Sequence, residues 1–243
     1  LGALKQAADH KYGRIVSKIN NSKGCGGIMR VAPLAVAGEL YEFRQLVLEG
    51  AQLAAITHGH SLGYMPAAVL VHLIRRIVFS PEGEKRPLKE LILAAKDETA
   101  EIFAGDPHLP ELVSIIDRAV ELSENGLSDL ENIHRLGEGW VAEETLAISL
   151  YCALRHQDNF SAGIIAAVNH KGDSDSTGAV TGNILGALLG YEAIEDKWKK
   201  NLELHDVILE VADDLCYGCQ MSEYSSYADP EWEAKYIHMH RPL

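Results

Sequence analysis

"HKGDSDSTGAVTGNILGALLG", residues 170–190, sets two aspartates among hydroxyl residues and then repeats glycine at every fourth position. On a helix, residues four apart lie on the same face. Gly178, Gly182, Gly186 and Gly190 therefore form one stripe. Each glycine costs about 0.8–1 kcal/mol of helix propensity relative to alanine, roughly 3–4 kcal/mol for the four. A stripe that costly predicts a close neighbour, most simply the backbone of another helix.

The same periodicity runs outward through the chain. "YEFRQLVLEGAQLAAITHG" carries apolar residues on one face. "PLKELILAAKDETAEIF" opens on proline and repeats Leu88, Leu91, Ile92, Ala95 and Ile102 at three-and-four spacing. "PELVSIIDRAVELSENG" repeats the pattern and ends at Asn125-Gly126, a stop signal. "VAEETLAISLYCALRH", "NFSAGIIAAVNH", "TGAVTGNILGALLG" and "LHDVILEVADDLC" read as further helices, and alternating strand patterns are nearly missing. The class is all-α, with residues 1–243 as one domain and "SPEGEKRP" at 80–87 as a surface loop.

Composition narrows the partners. A net charge of −13 argues against nucleic acid or an anionic membrane held by bulk electrostatics. A local patch of donors can still hold a small anion, since charges beyond roughly 8 Å are largely screened at physiological salt. The nearest approach to a membrane span, "MPAAVLVHLIRRIVF", is interrupted by His72, Arg75 and Arg76. No charged n-region precedes an apolar stretch, so no signal peptide is expected. Four cysteines in 243 residues are too sparse for a disulfide scaffold, which points to a reducing, cytoplasmic setting. A monomer is the default expectation. The chain opens on Leu1 with "LGALKQAADHKYG", which reads as mid-domain sequence, so a natural N-terminal portion is expected to precede it.

Asp173 and Asp175, spaced D-x-D in a turn and followed by Ser176 and Thr177, can aim oxygens at one point, as a hard cation such as Mg²⁺, Mn²⁺ or Ca²⁺ requires. The competing reading is an acidic cap on a helix start. An EF-hand is rejected, because its twelfth position, a bidentate glutamate, is Ile184. In "NNSKGCGGIMRVAPLAV", residues 20–36, Gly24, Gly26 and Gly27 with Ser22 and Lys23 form a loop whose N–H groups could cradle an anion, or else an ordinary tight turn. It is no Walker loop, because Lys23 precedes the glycines, and no dinucleotide fingerprint, because no strand leads into it. His58 closes an apolar helix, and a capping role competes with a binding one. "CYGC" at 216–219 lacks a partner pair for zinc, "HMH" near residue 239 having the wrong spacing. His205-Asp206 echoes the histidine–aspartate pair of helical metal phosphohydrolases, but its amphipathic context places it on a solvent face.

In order, "NSKGCGGIMRVAPLAV", "THGHS", "GEGWVAEETLAISLYCALR" and "NHKGDSDSTGAVTGNILGALLGYEAI" resemble the ADP-ribosylglycohydrolase family, from about residue 10 to the C-terminus. The family includes ADP-ribosyl-arginine and ADP-ribosyl-serine hydrolases. The resemblance implies a compact orthogonal multi-helix domain holding two divalent ions, Mg²⁺ or Mn²⁺, at the base of an ADP-ribose cleft. It implies Asp173, Asp175 and Ser176 as metal ligands and places the acidic residue usually credited with catalysis in the N-terminal part that is missing here, so that Asp173 and Asp175 are the catalytic candidates this sequence itself offers. Asn21, Ser22, Lys23, Gly24, Gly26 and Gly27 would receive the diphosphate and distal ribose, and His58 would line the same cleft. The partner would be an ADP-ribosylated protein or a small-molecule ADP-ribose conjugate. One departure stands out: the family's first metal motif, a Thr/Ser-Asp-Asp run near its N-terminus, has no counterpart here. Asp213-Asp214 lies at the wrong end and lacks the preceding hydroxyl.

Overall fold

A computed structural model describes residues 12–37, 42–80 and 86–217, with residue 234. Most of residues 1–13, the 80–87 connector and the Cys219 and 238–240 positions, as well as the side chain of Cys216, lie outside the described residues. Two short 3₁₀ helices, Cys25–Arg30 and Ala32–Val36, come first. The helices that follow are α1 (Phe43–Ala55), α2 (Ser61–Val78), α3 (Leu88–Ile102), α4 (Leu109–Ser123) and α5 (Asp129–Leu136). They continue with α6 (Ala142–Arg155), α7 (Phe160–Val168), α8 (Ser174–Leu189), α9 (Asp196–Lys199) and α10 (His205–Tyr217). No strand occurs among the described residues beyond two isolated bridges. The fold is all-α, as the periodicity predicts.

The centre is α2, which packs on α1, α3, α6 and α8. Leu62, Met65, Val69, Leu70, Leu73 and Ile74 are all buried, each such side chain contributing about 1.5–3 kcal/mol by leaving water. Here the structure corrects the reading of "MPAAVLVHLIRRIVF". The helix has 18 residues and by length and composition alone is apolar enough to cross a membrane, yet 78% of it is buried inside the fold. The interruptions are accommodated within the protein. His72 is fully buried and held down to a pKa of about 3 by its burial and by Arg76, so its ring is neutral.

The glycine stripe is only half used. A Cβ on Gly178 would lie 2.7 Å from Val168 Cγ1, and one on Gly182 would lie 3.5 Å from Ile164 Cδ1. The neighbour is thus α7, but its side chains rather than its backbone fill the groove. In return Gly163 of α7 receives the Leu185 methyl of α8. Gly186 faces open space, and Gly190 ends the helix with φ +81°.

A polar network fixes α5 against α6. Tyr151 donates to Asp129 Oδ1 at 2.6 Å, His156 Nε2 lies 2.9 Å from Asp129 Oδ2, and Asn132 donates to the Tyr151 hydroxyl. Burial raises the Asp129 carboxyl's pKa, but the hydrogen bonds from Tyr151 and His156 outweigh it and hold the group below its usual range. A depressed folded pKa contributes stability that is present above the unfolded value, near pH 4, and is lost as pH falls through the folded one. The Asp129→Asn variant should therefore lose less stability on acidification below pH 4 than the wild type. Denaturant midpoints taken across that range check this, and parallel curves would contradict it.

Candidate functional site

The glycine loop, the turn before α8 and the segment 137–145 meet at one place. Segment 137–145 is the splint between the other two. On one side Cys25 donates its N–H to the Trp140 carbonyl and Ala142 donates to the Lys23 carbonyl, so Gly24 pairs with Val141 as in a short antiparallel bridge. On the other side Asp173 donates its N–H to the Glu138 carbonyl at 2.7 Å. Glu144 shapes the splint by accepting from the N–H groups of Glu138 and Gly139, each at 3.0 Å. Thr145 donates to the Gly139 carbonyl at 2.7 Å. Gly139 sits at φ +81°, where an L side chain is strained, and its Cβ would come 2.9 Å from Thr177.

The turn before α8 is held by its own side chains. His170 Nδ1 accepts from the Gly172 N–H, and His170 Nε2 lies 2.9 Å from the Thr177 hydroxyl. Thr177 donates to the Ala167 carbonyl, which ties the turn to the end of α7. The helix begins at Ser174, three residues earlier than its sequence pattern suggests, so Asp175 and Ser176 lie on its first turn. That changes their directions. Asp173 and Ser176 point inward, at 7% and 1% exposure, while Asp175 is exposed.

Asp173 Oδ2 accepts from the Cys25 thiol at 2.7 Å and from the Ser176 hydroxyl at 2.9 Å. The Ser176 hydroxyl also lies 2.9 Å from Met29 Sδ and 3.4 Å from Cys25 Sγ. Burial raises the Asp173 pKa, but the contacts from Cys25, Asp175 and Ser176 bring the carboxyl below its usual range. The Asp173 carboxyl in turn holds Asp175 above it. Burial and the Asp173 contact push the Cys25 thiol up, so at neutral pH it stays protonated and donates.

The donor set fits part of a hard-cation site. A carboxylate taken out of water normally pairs with a cation, and among the described residues no lysine or arginine salt-bridges Asp173. A second carboxyl beside it adds to that demand. No three His, Cys, Asp or Glu side chains gather as a metal set among the described residues, so other ligands would be needed to complete it.

The glycine loop is pinned from below. Asn20 Oδ1 accepts from the N–H groups of Ser22 and Gly59, and Asn20 Nδ2 donates to the Thr57 carbonyl. Arg30 donates to Gly26 O, Leu53 O and the Thr57 hydroxyl. The His58 ring lies beneath the loop, and a Cβ on Gly24, Gly26 or Gly27 would meet it at 3.3–3.4 Å. Its Nδ1 is 2.8 Å from the Thr57 hydroxyl, and burial together with Arg30 lowers its pKa, so the imidazole is neutral. His58 is the floor of the loop.

Several loop donors are already in use. Ser22 N–H goes to Asn20, Gly24 N–H to Ser22 Oγ and Cys25 N–H to Trp140. The Gly26 amide lies ahead of the first intrahelical donor of the 3₁₀ helix that begins at Cys25, whereas Gly27 N–H closes the helix's first turn onto the Gly24 carbonyl. Lys23 pairs with the buried Glu143 and lies 3.8 Å from Glu111, so its charge is engaged by the protein itself. Asn21 is exposed at the loop edge. The sequence reading missed Cys25, Met29, Asn20 and the bracing role of segment 137–145. His205 and Asp206, by contrast, stand apart, with Asp206 fully exposed.

A profile of the ADP-ribosylglycohydrolase family matches residues 1–224. The chain belongs to the ADP-ribosylglycohydrolase family. Among other members, ADP-ribosylhydrolase ARH3 of Mus musculus is 30% identical over 206 residues, covering 75% of this chain and 53% of that protein. ADP-ribosylarginine hydrolase Tri1 of Serratia proteamaculans is 38% identical over 79 residues, covering 32% of this chain and 21% of its own. A solved structure titled ADP-ribosylglycohydrolase-related protein complex superposes with a TM-score of 0.66 at 30% identity, covering 89% of this chain and 67% of that one. The chain spans about half the length of the curated ADP-ribosylglycohydrolase relatives it matches.

Proposed function

We propose that the full protein hydrolyses the glycosidic bond between ADP-ribose and a protein side chain or small molecule, with a divalent metal. The observation that carries this reading is the contact of the glycine loop with the aspartate turn, Cys25 against Asp173 and Ser176. It sets an anion-accepting surface beside a buried carboxylate that no lysine or arginine pairs with among the described residues. Relatives named as ADP-ribosylhydrolase and ADP-ribosylarginine hydrolase support the same class.

Asp173, Asp175 and Ser176 would hold the metal, Mg²⁺ or Mn²⁺, with two ions in a complete family site. Bound there, the cation would supply Lewis acidity that polarises substrate oxygens and acidifies a water. The remaining roles fall to the chain. The Gly26 N–H would donate to the diphosphate, with Gly24 and Gly27 keeping the loop free of side chains, an arrangement that an acidic protein needs because its bulk charge repels the substrate. Glu143 would hold Lys23 back, so that the loop offers dipoles in place of a mobile ammonium. Asp175, the exposed carboxyl of the pair, would take the proton from the attacking water. Sparse cysteines favour a cytoplasmic setting for this chemistry.

A second reading, ADP-ribose binding without turnover, follows from the missing third ligand among the described residues. Incubating the full protein with ADP-ribosyl-arginine and ADP-ribosyl-serine peptides separates the two. Release of ADP-ribose that stops on chelation and resumes with Mg²⁺ or Mn²⁺ is the expected result. Release indifferent to chelation contradicts the metal role, and binding without release leaves the second reading.

A further inference from the structure

Lys23 is the one residue between Asn20 and Gly27 with a charge to offer a diphosphate, and the splint takes hold of it twice. Ala142 donates its N–H to the Lys23 carbonyl at 2.9 Å, and the next residue, Glu143, accepts from the Lys23 ammonium. The Glu143 side chain is 3% exposed, and its second oxygen is buried without a hydrogen-bond partner. Drawing the ammonium away would leave that buried carboxylate uncompensated, which is strongly unfavourable. Glu111, at 3.8 Å and 54% exposed, adds a weaker hold, because solvent screens it. The hydrogen bond to Glu143 raises the Lys23 pKa, so the ammonium is charged at neutral pH. Its side chain is 39% exposed and stands three residues before Gly26. Without its carboxylate partner, so flexible a stem is free to swing over the loop.

We propose that Glu143 is a positioning residue that sets the affinity for ADP-ribose: it restrains Lys23 from the diphosphate and so keeps substrate and product from being held too tightly. The inference rests on the reading of the glycine loop as the diphosphate site. An ADP-ribose conjugate and the released ADP-ribose carry the same diphosphate, so a lysine on it would stabilise substrate, transition state and product alike. Uniform binding of that kind lowers KM without raising kcat, and it slows the departure of product. The Gly26 N–H, a fixed dipole, offers the diphosphate a contact without a mobile charge.

The test compares the full protein as wild type, Glu143→Gln and Glu143→Gln/Lys23→Met, by calorimetric titration with ADP-ribose at saturating Mg²⁺ and by steady-state release. Glutamine keeps the size of Glu143 and removes the charge that holds Lys23. Glu143→Gln should bind ADP-ribose roughly 10-fold tighter, what one hydrogen bond to a charged group commonly contributes. The gain should shrink as salt is raised, and KM should fall while kcat does not rise. The double variant should return to wild-type affinity, which a merely loosened loop would not do. Thermal melts confirm that both variants are folded, and Glu143→Met repeats the comparison if the glutamine variant melts early. Unchanged or weaker binding by Glu143→Gln, or tightening that survives Lys23→Met, overturns the inference. Wild type that binds ADP-ribose, with the variant no tighter, removes the role of Glu143 alone. Wild type that binds no ADP-ribose removes the proposed function with it.

Discussion

Replacing Asp173 and Asp175 together by asparagine is expected to lower release of ADP-ribose by the full protein at least about 10³-fold. Single preorganised electrostatic partners at reacting centres are commonly worth 10²–10³, and this pair would supply both cation ligation and a proton acceptor. The effect should fall on turnover and leave the fold intact. Asparagine keeps an oxygen that can accept from Cys25 and Ser176, and the backbone bond from residue 173 to Glu138 is unaffected. Release rates at saturating Mn²⁺, with melting curves alongside, check this. Unchanged release would remove the aspartate turn from the chemistry.

Gly172→Ala is the second large effect, and it works through the splint. A Cβ at residue 172 would lie 1.8 Å from the Glu138 carbonyl oxygen and 2.5 Å from its carbon. Those are backbone atoms and cannot rotate aside. The turn must move away, which breaks the hydrogen bond from Asp173 N–H to Glu138 O. Overpacking costs about 1–3 kcal/mol, and a clash with main chain belongs at the upper end. At about 3 kcal/mol, Tm falls by roughly 6–12 °C for a chain of this size. Gly186→Ala is the contrast, since its Cβ would meet nothing within 4 Å and the helix gains propensity, up to about 1 kcal/mol. Calorimetric melts of the two variants should move in opposite directions. Equal shifts would show that the splint does not set the turn.

The helices that the sequence reveals best are those with one apolar face. Helices α3 and α4 bury Leu91, Ile92, Ala95, Leu112, Ile116 and Ala119, the residues repeated at three-and-four spacing. Helix α2 hides for the opposite reason. It is apolar nearly all round and carries Pro66 inside, so it shows no periodic contrast, and a helix of that kind is recognised only once neighbours cover it. Helix α5 was readable but overlooked, for Ser128 and Glu131 form a capping box, with the serine accepting from Glu131 N–H and the glutamate from Ser128 N–H.

The site was legible as residue types and not as directions. A D-x-D-S turn suggests three equivalent oxygens, but starting the helix at Ser174 buries Asp173 and Ser176 and leaves Asp175 exposed, its carboxyl in contact with that of Asp173. The glycine loop suggests open amides, yet Asn20, Ser22 and Trp140 consume three of them. Lys23 reads as an anion ligand until the fold sets Glu143 against it from 120 residues away. Cys25 carries no local signal at all, because what matters is its contact with a residue 148 positions on.

Calorimetric titration of ADP-ribose into the full protein, with Mg²⁺ and then with the metal chelated, tests the central claim most directly. Binding that requires the cation in the wild type, and is lost in the Asp173→Asn/Asp175→Asn variant even with Mg²⁺ present, is the predicted result. Binding of equal strength with or without the cation, or equally tight binding by the variant, would contradict it.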